Sequence, residues 1–136
     1  MDSNGKQLQM FYSKALTVNN EINPAEILNS ILADQFVSLG SVESKNKMQL
    51  IMQLVFFWKL IPDLKWEIQE IINEGNKYVV RSMASGTPNG DFMGMPTDGT
   101  KSFKIMTIDI HTMVGGQIAA VHHLEDWPTA IKQLKA

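Results

Sequence analysis

The sequence predicts an α+β fold, with helices packed on one face of a curved antiparallel sheet. Two observations lead there. Up to Leu60 the apolar residues recur at three- and four-residue spacing; beyond Pro62 they alternate, so helices come first and strands follow. The turn formers Glu74-Gly75-Asn76 and Gly115-Gly116 separate alternating segments, which makes consecutive strands hairpin partners. A chain of 136 residues with 44% apolar residues is sized for one domain, residues 1–136, around one core.

Each element follows from its own residues. Leu8, Phe11, Tyr12, Ala15 and Leu16 recur at helical spacing between Lys6 and Val18, and Asn19-Asn20 supplies a polar stop. A second helix starts at Asn23-Pro24, with Asn23 as N-cap and Pro24 in the first turn, where its missing N–H leaves no bond unmade. It points Ile27, Leu28, Ile31 and Leu32 inward and ends before Gln35. Residues 35–40, QFVSLG, alternate briefly and close on Gly40, as a small strand or extended connector does. The third helix is expected from Ser44 to Leu60, capped by Ser44 and stopped by Pro62, with Met48, Ile51, Met52, Val55, Phe56 and Leu60 as its apolar stripe.

After Pro62-Asp63, Leu64, Trp66 and Ile68 alternate with Lys65, Glu67 and Gln69 in a half-buried strand, and a second strand over 77–87 completes a hairpin. Residues 88–100 mix turn formers with Phe92, Met93 and Met95, which predicts a structured loop of the kind that covers something. Strands over 101–113 and 117–125 form another hairpin, and a short helix begins at Pro128.

Composition removes several function classes. The net charge is -2 and the twelve Lys and Arg are scattered, so no polyanion-binding patch forms and nucleic acid is not expected as a partner. With no cysteine, thiol nucleophiles, disulfides and cysteine-based metal sites are excluded. The longest apolar run, LVFFW at 54–58, is far too short to span a membrane, and the N-terminal segment has no unbroken apolar stretch; a soluble, cytoplasmic protein without a membrane partner is the expectation. Phosphate-cradling glycine loops and serine-hydrolase signatures are also missing.

Strand alternation points to the candidate site. Thr107, Asp109, His111 and Met113 share one face of their strand, Met106, Ile108 and Ile110 the other. A face bearing Asp and His lines a ligand-filled interior or else meets bulk solvent, and the interior reading is preferred. Val121 and His123 share a face while His122 points away, so His111, His122 and His123 cannot jointly hold a metal, and none is expected. Imidazole changes charge near neutral pH, which suits His123 to general acid or base work; a buried histidine satisfied by one hydrogen bond is the other reading.

Arg81 interrupts an apolar strand. Facing inward it would pair with Asp109 and orient a substrate; facing outward it would be an ordinary surface charge. Asp126 is read as the N-cap of the last helix, and Trp127 as core, interface or substrate platform. The substrate-contacting candidates are Arg81, Trp58, Phe92, Met95, Val121 and Trp127; the proton-transfer candidates are His123, Asp109 and His111.

An ordered set of segments carries a family resemblance: IPDLKWEI at 61–68, GNKYVVR at 75–81, SGTPNGDFMGMPTDG at 85–99, MTIDIH at 106–111 and GGQIAAVHHLEDW at 115–127. In this order and spacing the chain resembles the SnoaL-like polyketide cyclases, of the nuclear transport factor 2-like fold. The resemblance implies a cone-shaped curved sheet with the N-terminal helices on its concave face, a homodimer, a deep apolar pocket for a small molecule, and cofactor-free acid–base chemistry such as intramolecular aldol closure. The acidic residue that members carry on the last strand falls here on His123, and Pro88 stands where they often have histidine. Two functions are therefore carried forward: an acid–base enzyme acting on a small, mostly apolar carbonyl compound, and a non-catalytic ligand-binding or dimerisation module of the same fold.

Overall fold

The structure, a computed structural model, describes residues 2–136. Helix α1 (Ser3–Met10) runs into a π-helical turn (Phe11–Ala15), followed by α2 (Pro24–Ile31), β1 (Leu32–Leu39), β2 (Ser44–Asn46), α3 (Lys47–Leu60), β3 (Lys65–Glu74) and β4 (Lys77–Gly86). The chain continues through β5 (Asn89–Phe92), β6 (Met95–Asp98), β7 (Phe103–Val114), β8 (Gln117–Glu125) and α4 (Trp127–Lys135). A curved sheet of six strands, in the order β2-β1-β8-β7-β4-β3, forms one layer, and β5 and β6 form a separate hairpin. Strands β3, β4, β7 and β8 make the expected antiparallel meander. What sequence reading did not foresee is that β1 joins β8 in parallel, because it enters the sheet directly from α2 rather than through a hairpin.

Local chemistry explains the differences in boundary. At Leu32, φ -94 and ψ 135 already take the chain into extended geometry, so this residue ends α2 and opens a strand longer than the expected one. Helix α3 starts three residues later than Ser44. Its cap is Asn46, whose side chain accepts from Gln49 N at 2.9 Å while Gln49 Oε1 accepts from Asn46 N at 2.8 Å, a reciprocal box that Ser44 cannot form. The buried stripe of α3 is also different. Leu50, Ile51, Leu54 and Leu60 are buried, whereas Met48, Met52 and Phe56 are exposed. Because this helix is apolar nearly all round, its periodicity did not single out the face that meets the rest of the fold.

The inner face of the sheet carries Tyr78, Val80, Ser82 and Ala84 from β4, and Ile105, Thr107, Asp109, His111 and Met113 from β7, all buried. Leu8, Leu28, Ile31 and Phe36 complete the core from the helices and β1. A bulge in β8, where the Thr112–Ala120 pair is followed by Met113–Ile118, places Ile118 on the inner side together with Val121. On the outer face Met106, Ile108, Ile110 and Leu124 remain exposed, as the alternation required for the three on β7. Among the described residues no helix is long and apolar enough to cross a membrane.

Candidate functional site

The π-helical turn decides where the first site residues point. Leu16 N donates to Phe11 O at 3.0 Å, a bond five residues long, which brings Phe11 and Leu16 onto one side. The wider turn is held from outside: Trp58 Nε1 donates to Ala15 O at 2.9 Å, and Thr17 Oγ1 donates to Tyr12 O at 2.8 Å while accepting from Trp66 N. Phe11 and Leu16 thereby become one wall of a cavity of about 520 Å³, with Leu54 and Phe57 of α3, Trp66 of β3 and Val121 of β8. Asp109, His123 and Glu125 line it with polar groups from β7 and β8, Ser38 and Lys45 do so from β1 and β2, and the exposed Glu43 and Met93 also border it. Met93 adopts φ 52 beside Gly94 at φ 77, the left-handed pair that a two-residue hairpin turn between β5 and β6 requires.

Register brings the polar groups together. Asp109 on β7 is the cross-strand partner of His123 on β8, and Thr107 is the partner of Glu125. Tyr12 Oη donates to Asp109 Oδ2 at 2.5 Å and lies 2.8 Å from His111 Nε2. His123 Nδ1 contacts Glu125 Oε2 at 2.8 Å, Trp127 Nε1 donates to Glu125 Oε1 at 3.2 Å, and His123 Nε2 lies 3.5 Å from Glu43 Oε1. Trp66 Nε1 donates to Thr107 Oγ1 at 3.1 Å, which leaves the indole ring facing the cavity.

These contacts set the protonation states. Burial pushes the Asp109 carboxyl up to about 7; the Tyr12 hydrogen bond and His123 pull it down and Glu125 pushes it further up. Burial lowers His111 to about 3, so its ring is neutral at physiological pH. For His123 the hydrogen bond to Glu125 outweighs burial, with Glu125, Asp109 and Glu43 adding to it, and the imidazolium persists above its ordinary range. Tyr12 is held protonated, first by burial and then by the neighbouring carboxylate. A carboxyl that ionises near neutral pH thus stands opposite a stabilised imidazolium, a combination able to remove a proton at one point and supply positive charge at another.

The structure separates the residues singled out from the sequence. Asp109, His123, Val121 and Trp127 line the cavity. His111 faces inward but stops short of it: the ring is fully buried behind Tyr12, with Phe11 packed edge-on against it. Arg81 does not enter the site or meet Asp109; it alternates to the outer face of β4, where its register partner Glu70 binds its guanidinium. Trp58 spends its indole N–H on Ala15 O, and its neighbour Phe57 takes the wall position. Phe92 is buried against Phe103 and Trp127, supporting the site from behind, while Met95 packs on the core and Met93, at the tip of the same hairpin, reaches the cavity. Asp126 caps α4, accepting from Thr129 N at 3.3 Å.

Three partners of Asp109 and His123 escaped the sequence reading. Glu125 lies two residues beyond His123 and so on the same side of β8; the period of two was sufficient to find it. Tyr12 was counted as an apolar helix residue, and nothing in the sequence marks the π-helical turn that aims it at Asp109. Glu43 comes from a loop whose position depends on β1 and β2 pairing.

A family model for SnoaL-like polyketide cyclases matches residues 6–134. No curated protein matches the sequence. Among solved structures, a protein from Jannaschia sp. CCS1 described as a candidate SnoaL-like polyketide cyclase superposes with a TM-score of 0.86 at 17% identity, over 98% of this chain and 92% of that one. IdmH from Streptomyces antibioticus, a candidate polyketide cyclase, gives 0.83 at 19% identity over 99% and 100% of the two chains. A protein of ketosteroid isomerase-like fold from Catenulispora acidiphila gives 0.77 at 11% identity over 96% and 92%. These likenesses establish the fold, and the family model, spanning nearly the whole sequence, establishes that the chain belongs to the SnoaL-like polyketide cyclase family.

Proposed function

We propose that this protein is a cofactor-independent acid–base enzyme that acts on a small, mostly apolar carbonyl compound held in the cavity, and that it works as a cytoplasmic homodimer joined through the outer face of its sheet. The observation that carries the reading is the cross-strand placement of Asp109 and His123 in the same apolar-walled cavity. Asp109 as carboxylate takes a proton from the carbon beside the carbonyl: the C–H bond breaks, an O–H bond forms on Asp109, and the electron pair moves to the carbonyl oxygen. His123, kept protonated by Glu125, stabilises that oxygen by a charge-assisted hydrogen bond. In a substrate with a second carbonyl, the enolate carbon attacks it, a C–C bond closes the ring, and the new alkoxide is protonated from the site.

Deuterium exchange tests the chemistry without knowledge of the natural substrate. Aryl methyl ketones such as acetophenone, incubated with the protein in D2O, should exchange their methyl hydrogens faster than in buffer. The acceleration should vanish in Asp109→Asn, fall in His123→Ala and persist in His122→Ala, whose side chain is exposed. Ketones that quench Trp66 or Trp127 fluorescence yet exchange no faster than in buffer would replace the enzyme with the ligand-binding module.

A further inference from the structure

The three groups behind the cavity form a chain with a definite direction. Tyr12 has one hydroxyl proton and two neighbours within hydrogen-bond distance, Asp109 Oδ2 at 2.5 Å and His111 Nε2 at 2.8 Å. An ionised carboxylate has no proton to give, so when Asp109 is in its base form Tyr12 must donate to it. The tyrosine oxygen is then left only acceptor capacity toward His111, and the 2.8 Å contact requires a proton on Nε2. A neutral imidazole carrying that proton bears none on Nδ1, and Nδ1 is the atom that is buried with no hydrogen-bond partner among the described residues. No described residue offers Nδ1 a donor or an acceptor, so the chain ends at His111.

We infer that Tyr12 and His111 are positioning residues for Asp109: together they form a one-way hydrogen-bond chain, His111 Nε2–H to Tyr12 O–H to Asp109 Oδ2, that occupies Oδ2 permanently and leaves Oδ1 as the atom that exchanges protons with substrate. The inference rests on the reading of Asp109 as the base and adds which oxygen does the work and what holds it. The same geometry disfavours a relay through Tyr12 to the histidine, since reversing the chain would move the imidazole proton from Nε2 to Nδ1, where no described residue accepts it. The other titratable groups acting on Asp109 are Glu125 and His123, both on β8; its partner on β4 is Val80, and that strand brings no charge to it. Neither β8 group reaches His111, so the tautomer of that ring reports on the chain alone.

The experiment is nitrogen-15 NMR of the histidine rings in the intact wild-type protein, joined to carbon-13 titration of Asp109. His111 should show the Nε2–H tautomer at every pH from 5 to 9, with no imidazolium signal. In Tyr12→Phe the Asp109 midpoint should rise by about one to two pH units, because a hydrogen bond to the ionised form is lost. His111→Gln, which keeps an N–H donor for Tyr12, should leave that midpoint near wild type, whereas His111→Leu should raise it. An Nδ1–H tautomer, an imidazolium within this range or an unmoved midpoint in Tyr12→Phe would overturn the inference. The tautomer measurement needs neither substrate nor variant, so absence of ketone exchange would defeat the proposed activity while leaving this result standing or falling by itself.

Discussion

Replacing Asp109 with asparagine should stabilise the protein, and by an amount that grows with pH. Asparagine keeps an oxygen for Tyr12 but never ionises. The carboxyl of Asp109 is raised from its ordinary 3.8 to about 7 in the folded protein, so the folded state binds this proton more tightly than the unfolded chain. Its contribution to stability is complete below pH 3.8 and is lost as the pH climbs through 7, where the folded protein must either bury a charge or hold a proton that the unfolded chain has released. At 1.36 kcal/mol per pH unit, that interval corresponds to about 4 kcal/mol. A loss of this size is a large share of the roughly 5–15 kcal/mol that holds a domain together. Urea unfolding followed by tryptophan fluorescence, at several pH values from 4.5 to 8, gives the difference in stability between Asp109→Asn and wild type. That difference should climb steadily and level off above pH 7. A constant difference across the range would refute the claim that the cavity raises this carboxyl.

The same reasoning gives His111 the opposite sign. Its pKa is depressed from 6.5 to about 3, so its contribution to stability is present above 6.5 and is lost as the pH falls toward 3, by about 5 kcal/mol in full. Between pH 4 and 6.5 the two residues therefore nearly cancel, and wild type conceals both. His111→Gln should remove the acid-side loss, so its stability relative to wild type should rise as the pH falls, and the two single variants should diverge in opposite directions. Parallel curves for the two variants would show that burial of the pair is not what shifts them.

Three further outcomes follow. Ketone exchange should rise through pH 7 as Asp109 ionises and decline on the alkaline side only where His123 releases its proton, above the ordinary imidazole range, so a flat rate from pH 5 to 8 would remove both groups from the mechanism. Gly86→Ala should cost about 1–3 kcal/mol in thermal or urea unfolding, because its Cβ would lie 2.3 Å from Ile61 Cγ2 in a buried corner; an unchanged midpoint would mean that Ile61 moves freely aside. Ile108→Asp should convert a dimer into a folded monomer in sedimentation at micromolar concentration, since it would bury a carboxylate in the seam beside its cross-strand partner Arg81, whose guanidinium Glu70 already holds; an unaltered assembly would place the interface elsewhere.

Legibility in the sequence followed the type of interaction. Strands β7 and β8 were readable to within a residue or two because each is half-buried, and a period of two leaves one choice of face. The start of α3 was misplaced because its cap is a reciprocal pair three residues apart, Asn46 with Gln49, and a lone serine upstream offered a simpler stop. The parallel pairing of β1 with β8 was beyond reach: it joins segments some eighty residues apart, and nothing local to either specifies it.

The site divides along the same line. Alternation assigned Asp109, His111, Val121 and His123 to one face correctly, but a face is not a site. Whether an inward group touches the cavity depends on which helix residue stands before it, and Tyr12 stands before His111 because of a five-residue hydrogen bond that leaves no mark in the sequence. Arg81 shows the converse. Its oddness among apolar neighbours suggested a partner inside, yet parity on β4 puts it opposite Val80 and Ser82, and the acidic partner was waiting across the strand pair at Glu70. Parity also connects His123 to Glu125, the contact that decides the charge of the imidazole. On the last strand, where the resemblance implies an acid, this chain has a histidine bound to an acid two residues on. On the proposed reading the base is instead Asp109, one strand over and directly opposite His123. If that division of labour is right, His123→Asp should not restore a family-like site: it would set two carboxylates side by side across β7 and β8, raise Asp109 further and slow ketone exchange at pH 7. Faster exchange in that variant would return the base to the last strand and leave Asp109 a structural acid.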